Sequence, residues 1–139
     1  MRALILALAL AACSSSPVEL PPPQLPERAG FDPVVAARAE GVVFRGAGRA
    51  PDFVLSIFRD NRISLAWGAG AQQQHFPAAE RILPRWNGEI YAAQSEAHSL
   101  RVEIRHLSCA IEGLADETYT ARITVILDGE RRDGCGQSL

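Results

Sequence analysis

From Val42 to the end of the chain, apolar and polar side chains alternate with a period of two, the period of a strand with one buried face. Phe53, Leu55 and Ile57 alternate with Val54, Ser56 and Phe58. After Asp60-Asn61, a turn pair, Ile63, Leu65 and Trp67 alternate with Ser64 and Ala66. Leu100, Val102 and Ile104 alternate with Arg101, Glu103 and Arg105, which predicts a half-buried strand with a charged outer face. Tyr119, Ala121, Ile123, Val125 and Leu127 form a further inner face, with Thr118, Thr120, Arg122 and Thr124 outside. Asn87-Gly88 and Asp128-Gly129 are two-residue hairpin signals. Residues 68–79 interrupt the alternation with glycines and Gln72-Gln73-Gln74, and Gly46-Ala47-Gly48 and Gly68-Ala69-Gly70 read as turns. About seven or eight short strands joined by tight turns predict an all-β domain over residues 42–139, a small antiparallel meander curled into a barrel or sandwich.

Upstream the pattern changes twice. Residues 3–12 are an unbroken run of Ala, Leu and Ile after Met1-Arg2. That run is about half the roughly twenty residues a bilayer-spanning helix needs, so it reads as the apolar stretch of a signal peptide. It ends in Leu10-Ala11-Ala12-Cys13, which resembles the lipobox of bacterial lipoproteins. The resemblance implies cleavage before Cys13, a lipid on its thiol, and a further acyl chain on the new amino terminus. Several chains anchor stably where one does not. Ser14 in place of Asp then points to the outer membrane, with the domain facing the periplasm. Residues 14–27, SSSPVELPPPQLPE, form an extended tether that reaches some 40 Å at about 3.1 Å per residue. The organisation expected is a signal peptide over 1–12, a lipidated Cys13 with Pro-rich tether over 13–41, and the β domain. Asp32-Pro33 starts a possible short helix over 33–40, with Gly41 to close it.

Removal of the leader leaves about 127 residues, one domain at most. The formal charge of −2 is weak and mixed, and all 14 cations are Arg. No nucleic-acid partner and no polybasic membrane patch are expected from that balance. With Cys13 lipidated, Cys109 and Cys135 remain, and an exported domain sees an oxidising compartment, so a disulfide is expected. Zinc is the sharper alternative, but two cysteines without nearby histidines are too few. Geometry constrains the bridge. If Asp128-Gly129 is a two-residue loop, Cys135 lies opposite Arg122, and the strand ending at Cys109 flanks the other side of the same strand. Strands two apart are separated by about 9.6 Å, whereas bridged Cα atoms lie within about 7 Å. At least one cysteine must therefore leave its ladder, or the sheet must close differently; Gly134 and Gly136 permit a bend beside Cys135.

Three segments resemble a family of proteobacterial envelope lipoproteins of no established function. Residues 44–53, FRGAGRAPDF, resemble its aromatic-Gly-Pro-Trp opening. Cys109 with residues 112–116, EGLAD, and Tyr119 resembles its Cys, acidic, Gly, Met, Ser, Asp and Tyr pattern. Asp128-Gly129 with Gly134-Cys135-Gly136 resembles its ending. The chain departs from that pattern at Phe53, where the family has Trp, at Arg49-Ala50 and at Leu114-Ala115. In size, anchor and disulfide the domain also looks like the small β-barrel lipoproteins that inhibit lysozyme.

Candidate chemistry is sparse. His98 and His106 share a parity, but stand about 26 Å apart along a straight strand and cannot share a metal. His75 lies in the Gln-rich stretch without ligands at suitable spacing, so no metal and no cofactor are expected. Glu112 and Asp116 are a carboxylate pair whose plainer role is to cap a turn. No nucleophile-elbow motif stands beside a base, so no catalytic residue is singled out. Trp67, Arg85, Trp86 and Tyr91 are the candidate ligand-binding residues: aromatics near strand ends floor a mouth, and Arg85 pairs with an anion. The plainer reading puts both tryptophans in the core. The expectation is a non-enzymatic envelope accessory module, anchored to the membrane, that binds a protein or small ligand. The alternatives are an inhibitor of a cell-wall lytic enzyme, a hydrolase, or a structural spacer.

Overall fold

The computed structural model describes residues 32–49, 51–110 and 118–139. The expectations for the leader, Cys13 and the tether, and for Glu112 and Asp116, lie outside the described residues. The first element is helix α1, Pro33–Ala39. Asp32 caps it, its side chain accepting a 2.9 Å hydrogen bond from the Val34 N–H, while Pro33 occupies the first turn, where its missing N–H is not needed. Glu40 is the C-cap and Gly41 follows at φ 87°. The helix packs on the first strand. Among the described residues no helix is long and apolar enough to cross a membrane.

The strands follow in order: β1 (Val42–Arg49), β2 (Asp52–Phe58), β3 (Ile63–Trp67), β4 (Gln72–Phe76), β5 (Glu80–Ile82), β6 (Gly88–Gln94), β7 (Ser99–Arg105), β8 (Cys109–Ala110), β9 (Thr118–Tyr119), β10 (Ala121–Leu127) and β11 (Glu130–Ser138). Nine of them form one antiparallel sheet in the order β4-β3-β2-β1-β11-β10-β7-β6-β5. The sheet curls into a half-barrel, the all-β meander that the alternation predicts. Its two edges meet at a corner. Alternation of direction across nine strands makes β4 and β5 run the same way, and only Pro77-Ala78-Ala79 separates them, so a three-residue connection links the two edges.

The inner face is the core. Phe44, Phe53, Leu55, Ile57, Ile63, Leu65, Phe76, Tyr91, Leu100, Val102, Ile104, Ile123, Val125 and Leu127 are buried together. The parity expected for β2, β3 and β7 is found, and for β10 from Ala121 onward; Tyr119, expected on the same inner face, belongs instead to β9 and packs beside Cys109 and Cys135. Three local expectations are corrected. Gly46-Ala47-Gly48 is not a turn but part of β1, and residues 72–76 are a strand rather than an interruption. Asn87-Gly88 is not a two-residue hairpin: residues 83–87 join β5 to β6, and Gly88 pairs with Arg105 of β7. The glycine is there for close approach, since a Cβ would run into the Ile104 carbonyl oxygen and the Trp86 ring.

Cys109 and Cys135 form the expected disulfide, with Cα atoms 5.6 Å apart. Asp128-Gly129 is the expected tight turn, with φ of 51° and 83°, and it sets Cys135 opposite Arg122. The cysteine that leaves its ladder is Cys109. The strand beside β10 ends at Arg105, and Cys109 belongs to the separate β8–β9 ribbon, which lies against β11. The ladder does not break at Gly134 and Gly136, because β11 runs through them without interruption. They admit aromatic rings instead: a Cβ at Gly134 would sit 2.8 Å from Phe53 Cζ.

Candidate functional site

Four turns gather at one end of the half-barrel, after β1, β3, β6 and β10. Trp67 is the last residue of β3 and keeps that strand's inward parity, opposite Gln72 of β4. It is half-buried and packs on the core. Its indole meets the His98 ring edge-on, with centroids 5.4 Å apart and planes at 84°. Trp67 lies on the second strand of the sheet order, whereas His98 lies in the turn between β6 and β7, near the far edge. This contact therefore spans the mouth of the half-barrel.

His98 is held from behind. Its Nδ1 lies 2.5 Å from Asp128 Oδ2, and Asp128 Oδ1 accepts from the Ser99 N–H at 2.9 Å. The hydrogen bond to His98, and then that from Ser99, hold the Asp128 carboxyl below its ordinary value of 3.8; Arg132 adds a weaker attraction. The tight turn that ends β10 thus doubles as the anchor of the histidine.

Below this clasp lies Arg132. The turn register places it opposite Val125, whose side chain is inward, so Arg132 is inward too. It is 7% exposed, and among the described residues it alone combines charge with burial. Nη2 donates to Glu130 Oε2 at 3.2 Å, while Nε and Nη1 are buried and meet no hydrogen-bond partner among the described residues. Such donors each cost about 1–3 kcal/mol if they stay unpaired. Leu100, Leu127 and Val125 belong to the same end of the inner face.

The seam beside the corner continues the mouth. A hollow of about 560 Å³ is lined there by Gln74, Pro77, Gln94, Ser95, Glu96 and Ala97. The Ser95 hydroxyl accepts from the His98 N–H at 3.1 Å, so the turn that carries His98 also forms a wall of the seam.

Of the four residues expected at a mouth, the structure brings only Trp67 to this one. Trp86 sits at the opposite end, before β6, with the Arg105 guanidinium 4.3 Å from its ring centroid, and Arg85 is its exposed neighbour. Tyr91 is in the core. Burial, then the Glu89 charge, push its phenol above its usual value, while Arg81, 2.5 Å from Glu89, opposes them. The single aromatic mouth built from Trp67, Trp86, Tyr91 and Arg85 is thus corrected: the strands carrying them run in senses that put their ends apart. Sequence reasoning missed Asp128, read only as a turn, and Arg132. Among the described residues no cluster of three or more His, Cys, Asp or Glu could hold a metal ion. No family model matches the chain, and neither a curated protein nor a solved structure is similar enough to match.

Proposed function

We propose that this chain is a lipid-anchored accessory module of the cell envelope, tethered to the outer membrane through Cys13, that binds a ligand at the mouth of its half-barrel rather than transforming one. The anchor rests on residues 10–13 and their resemblance to a lipobox, and the tether on residues 14–27. Binding rests chiefly on one observation: Arg132 is buried at the end of the inner face that also carries the Trp67–His98 contact, with two nitrogens that no described group satisfies. The neighbouring polar groups hold one another, His98 to Asp128 and Asp128 to the backbone of Ser99. That arrangement shapes a receptor, since each group orients the next and the free donors belong to the one residue that cannot act as a base.

Site-specific photocrosslinking in cells tests this reading. A crosslinker at Gln72, on the mouth, is expected to capture an envelope component, whereas one at Arg85, at the far end, is not. Adducts from Arg85 alone, or from neither position, overturn the mouth as the working surface. Cys13→Ser is expected to release the chain from membranes or leave it uncleaved; unchanged fractionation, with no acylated amino-terminal peptide in the wild type, overturns the anchor.

A further inference from the structure

We infer that the mouth is a receptor for a single carboxylate group, taken up by the inward nitrogens of Arg132. This rests on the mouth being the working surface and adds the chemistry of what it binds. A guanidinium shut away from water with free N–H donors is completed by an acceptor group of opposite charge. The charge count selects among anions. Arg132 supplies one positive charge, and Asp128 and Glu130 stand close to it. Both carboxylates repel an incoming anion, and a dianion such as phosphate meets about twice the repulsion that a monoanion does. The surrounding Leu100, Val125 and Leu127 exclude water, so the pairing is stronger than in solvent.

Size limits the rest of the ligand. Leu55, Leu65, Val102 and Ile123 are fully buried, so the barrel beneath is filled and only a head group enters. The body of the ligand has room in the seam, where Gln74, Gln94 and Ser95 offer amides and a hydroxyl to a polar chain. The Trp67–His98 contact spans the mouth, so its opening widens the way in. Trp67 is followed by Gly68, Ala69 and Gly70 at φ of 64°, 56° and 83°, and Ala69 is in the left-handed region without being glycine. A hollow of about 220 Å³, lined in part by Phe53, Ala66, Trp67 and Ala69, lies beside the indole. Trp67 therefore stands next to a strained turn and an open space, the two things a moving lid needs.

The test uses the full chain purified from membranes in detergent, carrying Trp86→Phe so that Trp67 reports alone. Fluorescence is followed against N-acetylalanylalanine, its carboxamide, acetate and inorganic phosphate. The free acid is expected to bind saturably. The carboxamide is expected to bind at least tenfold more weakly, and Arg132→Met and Arg132→Lys each to lose at least tenfold while still melting cooperatively. Arg131→Met, on the outer face, is expected to bind as the parent does. Acetate equal to the dipeptide identifies a free small carboxylate as the ligand class, and acetate far weaker identifies a peptide-like carboxylate held also by the seam; both support the inference. Phosphate tighter than acetate, or no response to either carboxylate from folded protein, overturns it. Carboxamide and acid binding alike overturn the carboxylate while leaving the mouth as a binding surface.

Discussion

Replacing Arg132 by Met should stabilise the fold, and this follows from what its guanidinium lacks. The side chain is 8% exposed and holds one protein hydrogen bond, to a Glu130 side chain that is 77% exposed. A pair that open at one end contributes under about 1 kcal/mol. Against it stand two buried nitrogens without protein partners, each costing about 1–3 kcal/mol. Met has a similar length, no polar hydrogen, and the flexibility to fill the space among Val125, Leu127 and Leu100. These terms leave a gain of about 1–6 kcal/mol, and the range of about 1–4 kcal/mol seen when buried ionic groups give way to apolar ones sets the expectation. For a unit of roughly a hundred residues this raises the melting midpoint by about 4–16 °C. Calorimetry at pH 7, with urea midpoints at unchanged m, measures it. A midpoint that falls by several degrees would show that the inward nitrogens are satisfied within the fold, and would refute the premise that they are kept for a ligand.

Three further outcomes are expected. Cys109→Ser opens a loop of 26 residues and should cost about 3.5 kcal/mol by chain entropy; Cys135→Ser should cost the same, and the double variant no more than one single, as read from urea midpoints. Gly134→Ala drives a Cβ into the Ala47 backbone and to 2.8 Å from Phe53 Cζ, so it should cost about 3 kcal/mol, whereas Gly129→Ala meets nothing within 4 Å and should cost only about 1 kcal/mol for its φ of 83°; equal effects would refute the packing account. The Asp128 and Asp133 carboxyls are both held below 3.8, chiefly by His98 and Arg131, so what they contribute is complete above that pH and is lost as pH falls through their lower folded values. Asp128→Asn should therefore lower the urea midpoint at pH 7 and differ little from wild type at pH 2; a constant difference across that range contradicts the sign.

Much of the fold was legible because one face of each long strand is buried. A one-residue slip would reverse every side chain of β7 or β10, so their parity is fixed by Leu100, Val102, Ile104 and by Ile123, Val125, Leu127. The Asp128-Gly129 turn then fixed the β10–β11 register to the residue, and with it the need for a cysteine to leave the sheet. What was hidden lacks that periodicity. β4, with sequence QQQHF, is an edge strand whose inner-parity positions Gln72 and Gln74 are as polar as its outer ones, and β5 has three exposed residues. Gly46 and Gly48 read as turns because their role is steric: inward glycines on β1 lie under the rings of Phe44 and Phe53, and ring placement is a tertiary fact.

The site was hidden for a different reason in each of its parts. Trp67 was found, but which end of the sheet it shares with other aromatics depends on strand direction. With β3 leading up to the mouth and β6 starting at the opposite end, Trp86 could never join it. His98 meets Trp67 only because the sheet curls, and no local pattern reports curl. Arg132 is the instructive case, since nothing beyond counting was needed. Val125 was already assigned to the inner face, and a two-residue loop at Asp128-Gly129 pairs Val125 with Arg132. Antiparallel partners share a face, so the arginine had to point into the core. Its run of charged neighbours, Glu130 to Asp133, disguised this as an ordinary solvated strand. A charge placed by register on the buried face is costly there, and the unpartnered nitrogens of Arg132 are the ground on which an outside ligand is proposed.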